Sequence, residues 1–234
     1  MNVVDNLTVE KATQALDKVR AEYETDNSRL AIITPDRYEE ICDIMAHHFA
    51  PDEPLSRGFG VTWNKEFEAS VLENLKCNVS FCMISKDTSE IMGVQVIGIV
   101  KSCDTPPDLA LAELQNEEWR SSLNFFTRRD SEVDFFGRFG VGEAVYFFGL
   151  AINRKYRRMG LGGRMVAAAV AMSRELGFQV IRTEGTSNYS QRILEKQGFE
   201  TLLTMPYDSY MYKGRPIKEG TGEHTMAKIY GLRL

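Results

Sequence analysis

Two stretches of this chain have the residue types and spacing of a chemical site. The first is Arg157-x-x-Gly160-x-Gly162-Gly163, set between the apolar run 144–152 and the alanine-rich run 161–176. A glycine turn that opens a helix leaves several backbone N–H groups unpaired, and the helix dipole adds partial positive charge there. Glycine lets a ligand approach the backbone, and flanking arginines add full charges, so the turn has the makings of a phosphate or diphosphate receptor. The second stretch is Phe49-Ala-Pro-Asp-Glu-Pro-Leu55, where two prolines surround two carboxylates. Proline fixes its own φ and restricts the residue before it. The segment is therefore expected to be a stiff, non-helical linker that holds Glu53 extended between Asp52 and Pro54.

Spacing by itself gives Asp52-Glu53 no more than the role of a solvated turn. His47 and His48 stand near enough in sequence to suggest a metal ion shared with Asp52 and Glu53. Consecutive helical residues point about 100° apart, which argues against it, and no metal is expected. The glycine turn must be told from two other phosphate binders. A Walker turn needs Gly-x-x-x-x-Gly-Lys-Ser/Thr, which the chain lacks, and Gly160-x-Gly162-Gly163 breaks the Gly-x-Gly-x-x-Gly dinucleotide spacing. What remains, Arg-x-x-Gly-x-Gly between a strand and a helix, resembles the acetyl-coenzyme A signature of the GNAT family of N-acetyltransferases. The alternative is a surface strand-to-helix turn whose arginines are merely solvated.

The elements that position these residues follow from patterning. The run 144–152 reads as a buried strand, with Gly149 inside it as a bulge or a point of close approach. The next strand, 179–183, follows after a single helix closed by Gly177. It should run parallel to the first through a right-handed crossover, with a ligand entering between their carboxyl ends. Upstream, Val9, Ala12, Leu16, Val19 and Tyr23 recur at helical spacing behind Thr8 as a cap. Residues 1–28 are expected to form a helical appendage docked on a single domain covering 29–234. A strand at 30–33 leads through Thr34 as N-cap and Pro35 at the first helical position into a helix reaching about residue 49. Its inner stripe is Tyr38, Ile41, Ile44, Met45 and His48.

A helix over 64–77 and strands over 79–85 and 91–100 come next, the strands forming a hairpin. Thr105-Pro106-Pro107 breaks the chain. Helical patterns then cover 109–126 and 131–139, with Phe125, Phe126, Phe135, Phe136 and Phe139 read as core rather than substrate wall. The last elements are a short helix over 191–197 capped by 185–190, a strand after Gly198-Phe199, and a final strand over 223–230. Tyr210 and Tyr212 are expected on one strand face. The fold class is α/β, a central mixed sheet flanked by helices.

Composition bounds the partners. A net charge of −5 with no long basic tract argues against nucleic acid. Four cysteines without metal or disulfide spacing, no signal peptide and no apolar run near membrane length point to a reducing, cytoplasmic location and to no membrane partner.

Three separated motifs sharpen the resemblance: Phe49-x-x-Asp-Glu-Pro-Leu55, Arg157-x-x-Gly-x-Gly162 and Ser187-x-Tyr-Ser-x-Arg-Ile-x-Glu-Lys-x-Gly-Phe199. With Met205-Pro-Tyr-x-x-Tyr and Met226-Ala-Lys they are similar to the insect arylalkylamine N-acetyltransferases, a group that includes agmatine acetyltransferases. The resemblance implies a GNAT fold over about five-sixths of the chain. It also implies acetyl-coenzyme A as donor, a small primary amine of the arylalkylamine type as acceptor and direct transfer in a ternary complex. The alternatives are an agmatine, polyamine or longer-chain acyltransferase and a non-catalytic coenzyme A-binding module. A monomer or weak dimer is expected. The cofactor would lie against Leu150, Ala151, Ile152, Arg157, Arg158, Met159, Gly160, Leu161, Gly162, Gly163, Ser190 and Lys196. Glu53 becomes the implied general base, which suits the chemistry. An alkylamine with a pKa of about 10.4 arrives protonated and attacks only after losing its proton. A backbone N–H near Leu150 would stabilise the oxyanion. One departure stands out. Many GNAT enzymes carry a tyrosine acid four residues before the Gly-Phe glycine, where this chain has Leu194. The resemblance then points to the hydroxyls of Ser190, Thr186 and Ser187, for all of which helix capping is the alternative.

Overall fold

The computed structural model describes residues 3–104 and 107–234; Thr105 and Pro106 of the expected chain break lie outside the described residues. In chain order the strands are β1 (Ser28–Ile32), β2 (Phe81–Ser85), β3 (Ile91–Lys101), β4 (Glu143–Ile152), β5 (Val180–Gly185), β6 (Glu200–Pro206), the short β7 (Met211–Tyr212) and β8 (Arg215–Pro216), and β9 (Met226–Arg233). Seven of them form one sheet in the order β1-β2-β3-β4-β5-β9-β6, and β7 and β8 pair apart from it. Every pairing is antiparallel except that of β4 with β5, the parallel pair expected from the single crossover helix. The mixed α/β architecture is the one the patterning predicts.

The β4–β5 pairing is short. It joins Val145, Phe147 and the residue between them to Ile181–Thr183 and then stops, although β4 continues to Ile152 along β3 and β5 to Gly185 along β9. Beyond that point the two strands part, which opens a gap at their carboxyl ends. The β3–β4 register steps from Val96 opposite Gly149 to Ile97 opposite Phe147, so Phe148 is the extra residue of a bulge. Gly149 is also a point of close approach. A Cβ there would stand 3.2 Å from the Met45 Cε and 3.5 Å from the Phe49 ring.

Helices cover both faces of the sheet. On one lie α1 (Val9–Tyr23) and α8 (Leu161–Glu175), the crossover between β4 and β5. Thr8 accepts the Lys11 N–H as the cap of α1, and Ala12, Ala15 and Leu16 are buried in the same cluster as Met165 and Ala169 of α8. On the other face lie α2 (Tyr38–Ile44), α3 (Pro54–Phe59), α4 (Lys65–Leu75), α5 (Pro107–Ala112), α6 (Glu117–Thr127) and α7 (Phe135–Phe139). Phe125, Phe135 and Phe139 are buried there, with Phe126 and Phe136 packed beside them, so these aromatics belong to the core. The last helix, α9 (Asn188–Lys196), follows β5.

Several boundaries differ from expectation, each for a local reason. The helix expected to reach residue 49 is three pieces: a 3-10 turn Pro35–Arg37, α2, and a widened π turn Met45–Phe49. Thr34 holds the cap position without a side-chain bond. Pro51 has no N–H for the His47 carbonyl, and its ring crowds that turn, which accounts for the widening. Residues 49–55 are not a non-helical linker either. Ala50–Asp52 form a 3-10 turn, Pro54 starts α3, and only Glu53 between them is extended (φ −73°, ψ 124°). Both prolines sit in first-turn positions that need no N–H donor.

The pattern over 109–126 splits at Asn116, whose side chain accepts the Trp119 N–H at 2.7 Å and starts α6 afresh. Residues 131–139 likewise divide into a 3-10 turn, Asp130–Glu132, and α7. The short helix α9 begins at Asn188 rather than residue 191, and the final strand spans β9 rather than 223–230. Tyr210 ends a 3-10 turn and only Tyr212 is in a strand, yet both rings pack on Phe59, at 5.5 and 4.9 Å.

Candidate active site

The glycine turn is built from backbone. Gly160 caps α8 at φ 75°, a left-handed conformation that favours glycine, and Arg158 is left-handed at φ 65°. Alternating left-handed residues curl successive N–H groups toward a common concavity. Among the described residues, the amides of Arg158, Met159, Gly160, Leu161, Gly162 and Gly163 donate to no backbone carbonyl and no side chain. Space lies in front of them, since a Cβ on Gly160 or Gly163 would meet nothing within 4 Å. Gly162 does a different job. Its Cβ would stand 3.2 Å from Ile193 and 3.4 Å from Leu150, so its bareness lets α8 seat on β4 and α9. Unpaired amides, helix dipole and open approach fit the diphosphate of a coenzyme A.

Arg157 departs from the role of a flanking phosphate charge. Its Nε donates to the Ile152 carbonyl at 3.0 Å, Nη1 to Asp52 at 2.8 Å and Nη2 to the His48 carbonyl at 2.6 Å. Arg154 adds a second fork onto Asp52 at 3.1 Å, and its N–H donates to His48 Nδ1 at 3.3 Å. Burial alone would raise the Asp52 pKa, but the two guanidiniums outweigh it and hold the carboxyl below its usual range. Burial and the same two cations push the His48 pKa down. These pairs are solvent-facing, so each contributes only about 0–1 kcal/mol. Their value is geometric: they tie the turn after β4 to the residue before Glu53.

Glu53 is the N-cap of α3, accepting the Ser56 N–H on Oε2 at 2.5 Å. A cap of this kind stabilises a helix by about 1 kcal/mol. The residue as a whole is half-buried, but Oε1 is buried and has no hydrogen-bond partner among the described residues. Burial raises the pKa of the carboxyl. The amides of Ser56 and Leu55 and the hydroxyls of Thr186 and Ser56 oppose the rise without cancelling it. Thr186, just past β5, stands near enough to Glu53, just before α3, for its hydroxyl to act on the carboxyl without forming a hydrogen bond to Oε1. Tyr207, fully buried, donates its hydroxyl to the Thr186 carbonyl at 2.6 Å, and burial together with the Glu53 charge holds that phenol protonated. A half-buried carboxyl with one buried, unpaired oxygen and a raised pKa, beside the residue that follows β5, has the attributes of a general base.

Ser187 and Ser190 form a capping box on α9. The Ser190 N–H donates to Ser187 Oγ at 3.0 Å, the Ser187 N–H donates to Ser190 Oγ at 3.2 Å, and Ser190 Oγ donates to the Ser187 carbonyl at 3.0 Å. The next amide, on Asn188, donates to His224 Nδ1 at 3.2 Å. Burial, Arg57 and Lys218 lower the His224 pKa against the opposing charge of Glu223. Leu150, Ala151 and Ile152 line the end of β4 as expected. Lys196 stands apart, exposed in the last turn of α9, about 9 Å along the axis from Ser190.

Three features escaped the sequence: the capping role of Glu53, the pairing of Asp52 with two arginines, and the part played by Tyr207 and His224. Proline at the first helical position marks the residue before it as the cap, which would have revealed the first. The others join residues far apart in the chain and leave no local trace.

This arrangement has counterparts. Residues 53–199 match the sequence model of the family described as "Acetyltransferase (GNAT) family". Arylalkylamine N-acetyltransferase 2 from Aedes aegypti has a similar structure, with a TM-score of 0.84 at 26% identity over 89% of this chain and 99% of that one. The Drosophila melanogaster polyamine N-acetyltransferase, described as catalysing the formation of N-acetylagmatine, gives 0.78 at 21% identity over 89% and 100%. Arabidopsis thaliana NAA60, in complex with acetyl-CoA, gives 0.52 at 15% identity over 88% and 99%. Since the family match spans more than half of the chain and includes both Glu53 and the amide turn, this chain belongs to the GNAT family of acetyltransferases, whose acetyl donor is acetyl-coenzyme A.

Proposed function

We propose that the chain acetylates the primary amine of a small arylalkylamine by direct transfer, with Glu53 as the general base. The observation that carries this is the Oε1 of Glu53, buried and without a partner among the described residues, beside Thr186 just past the end of β5. Acetyl-coenzyme A supplies an activated acetyl thioester. The amides of residues 158–163 would hold its diphosphate, and the end of β4, from Leu150 to Ile152, would guide the acyl arm into the gap. Glu53 takes the proton of the incoming ammonium, and a backbone N–H at Leu150 faces the charge developing on the thioester oxygen. Ser190, with Thr186 and Ser187 beside it, is assigned to help the thiolate leave. Its hydroxyl already serves the capping box, so it has to turn from the Ser187 carbonyl to do so. A thiol with a pKa of about 8.5 needs little help to leave as thiolate.

An aromatic acceptor is supported by the similarity to the Aedes aegypti arylalkylamine N-acetyltransferase 2. A cytoplasmic place is supported by four free cysteines, and among the described residues no helix is long and apolar enough to cross a membrane. The test is thiol release from acetyl-coenzyme A against tyramine, dopamine, serotonin, agmatine and spermidine. Higher kcat/KM for the aromatic amines is the expected result. Turnover confined to agmatine or spermidine would overturn the acceptor class, and release with no amine would overturn the activity.

A further inference from the structure

Gln95 on β3 lies opposite Leu150 of β4 and is 1% exposed. Its side chain is only half satisfied. Nε2 donates to the Gly149 carbonyl at 3.4 Å, while Oε1 is buried without a partner among the described residues. The amide orientation is fixed by chemistry, because flipping it would set oxygen against carbonyl oxygen. A buried amide left half-satisfied costs stability. A purely structural position would be better filled by an apolar residue, as at its neighbours Val94 and Val96.

The bond falls directly beside the bulge of β4, with Gly149 opposite Val96 and Leu150 opposite Gln95. Phe148 is the unpaired residue of the β4 bulge and Gly149 has no side chain to fix its backbone. The Gly149 carbonyl and the Leu150 N–H belong to one planar trans peptide, so they point in opposite directions. Holding that carbonyl on the β3 side turns the Leu150 N–H toward the β5 side. There the β4–β5 pairing has already ended at Phe147 and Thr183, and among the described residues no strand pairs with Leu150 on that side.

We propose that Gln95 is a positioning residue that aims the Leu150 N–H into the gap between β4 and β5, where the thioester oxygen is to be received. The proposal rests on the acetyl-transfer reading of that gap. It is tested with Gln95→Leu, a near-isosteric apolar exchange, in the full chain. Turnover should fall about tenfold through loss of an aligned donor. The dissociation constant for coenzyme A should stay unchanged, and the melting temperature should be unchanged or higher. A second readout does not depend on turnover: acetyl-coenzyme A should shift the Leu150 amide resonance in the wild-type protein and lose that effect in the variant. If Gln95→Leu fails to fold, Gln95→Asn, whose amide falls one methylene short, is read in the same way. Unchanged turnover, or a fall shared in proportion by coenzyme A affinity and melting temperature, would overturn the proposal. So would a Leu150 shift that persists in the variant. A wild-type protein inactive with every amine would sink acetyl transfer itself, whereas the Leu150 shift still reports on Gln95.

Discussion

Glu53→Gln is expected to lower turnover by about two to four orders of magnitude, the usual worth of a positioned base. Coenzyme A should bind as before, because Glu53 is not among the residues assigned to the diphosphate. The pH dependence carries the signature. Burial raises the Glu53 pKa above the ordinary carboxylate range, and the base works only when ionised. Wild-type kcat/KM for the amine should therefore fall on the acid side at a pH above that range, and this limb should vanish in the variant. Stability moves with the opposite sense. A carboxyl that keeps its proton in the folded state longer than in the unfolded state contributes most at low pH, and that contribution is lost as pH rises through the raised pKa. Urea denaturation at a series of pH values should show Glu53→Gln gaining on the wild type across this window. A variant of undiminished turnover would remove Glu53 from the mechanism.

Gly163→Asp is expected to abolish coenzyme A binding at ordinary concentrations while the protein stays folded. The position is helical and a Cβ there meets nothing within 4 Å, so the new side chain enters without strain. A carboxylate in the first turn of α8 suits the helix dipole and should raise the melting temperature slightly. The same charge would stand in the space assigned to the diphosphate, and like charges brought together cost several kcal/mol. A weakening of at least about a hundredfold, read by calorimetric titration of coenzyme A, is anticipated. Gly163→Ala, uncharged in the same open space, should bind nearly as the wild type does. Normal affinity in the aspartate variant would mean that the diphosphate sits elsewhere.

The fold was legible where one strong local signal sufficed. The apolar run of β4, the single helix between β4 and β5, and glycines at positive φ such as Gly160 and Gly177 each appear in a few residues. Boundaries were lost where side chains far away decide them. The break at residue 116 depends on Asn116 capping α6 and on Glu66, fifty positions earlier, accepting the amides of Gln115 and Asn116. The late start of β9 follows from a turn in which Thr221 donates its hydroxyl to the His224 carbonyl at 2.7 Å.

The site divides along the same line. The amide turn could be read because backbone geometry follows from glycine spacing. Arg157, the most conspicuous residue of that motif, binds Asp52 and His48 instead of facing the turn, since a long side chain goes where a partner waits. Glu53 looked like a surface carboxylate because no local pattern shows that Thr186 and Tyr207, more than 130 residues later, will bury it. Only the resemblance of three separated motifs brought it forward.

A crystal structure of the full chain with coenzyme A bound tests the central geometry most directly. The account predicts the diphosphate within hydrogen-bonding distance of the amides between Arg158 and Gly163, and the thiol end in the β4–β5 gap beside Leu150 with the Glu53 carboxyl facing it. A diphosphate bound away from those amides, or a thiol on the far side of β4 from Glu53, would contradict it.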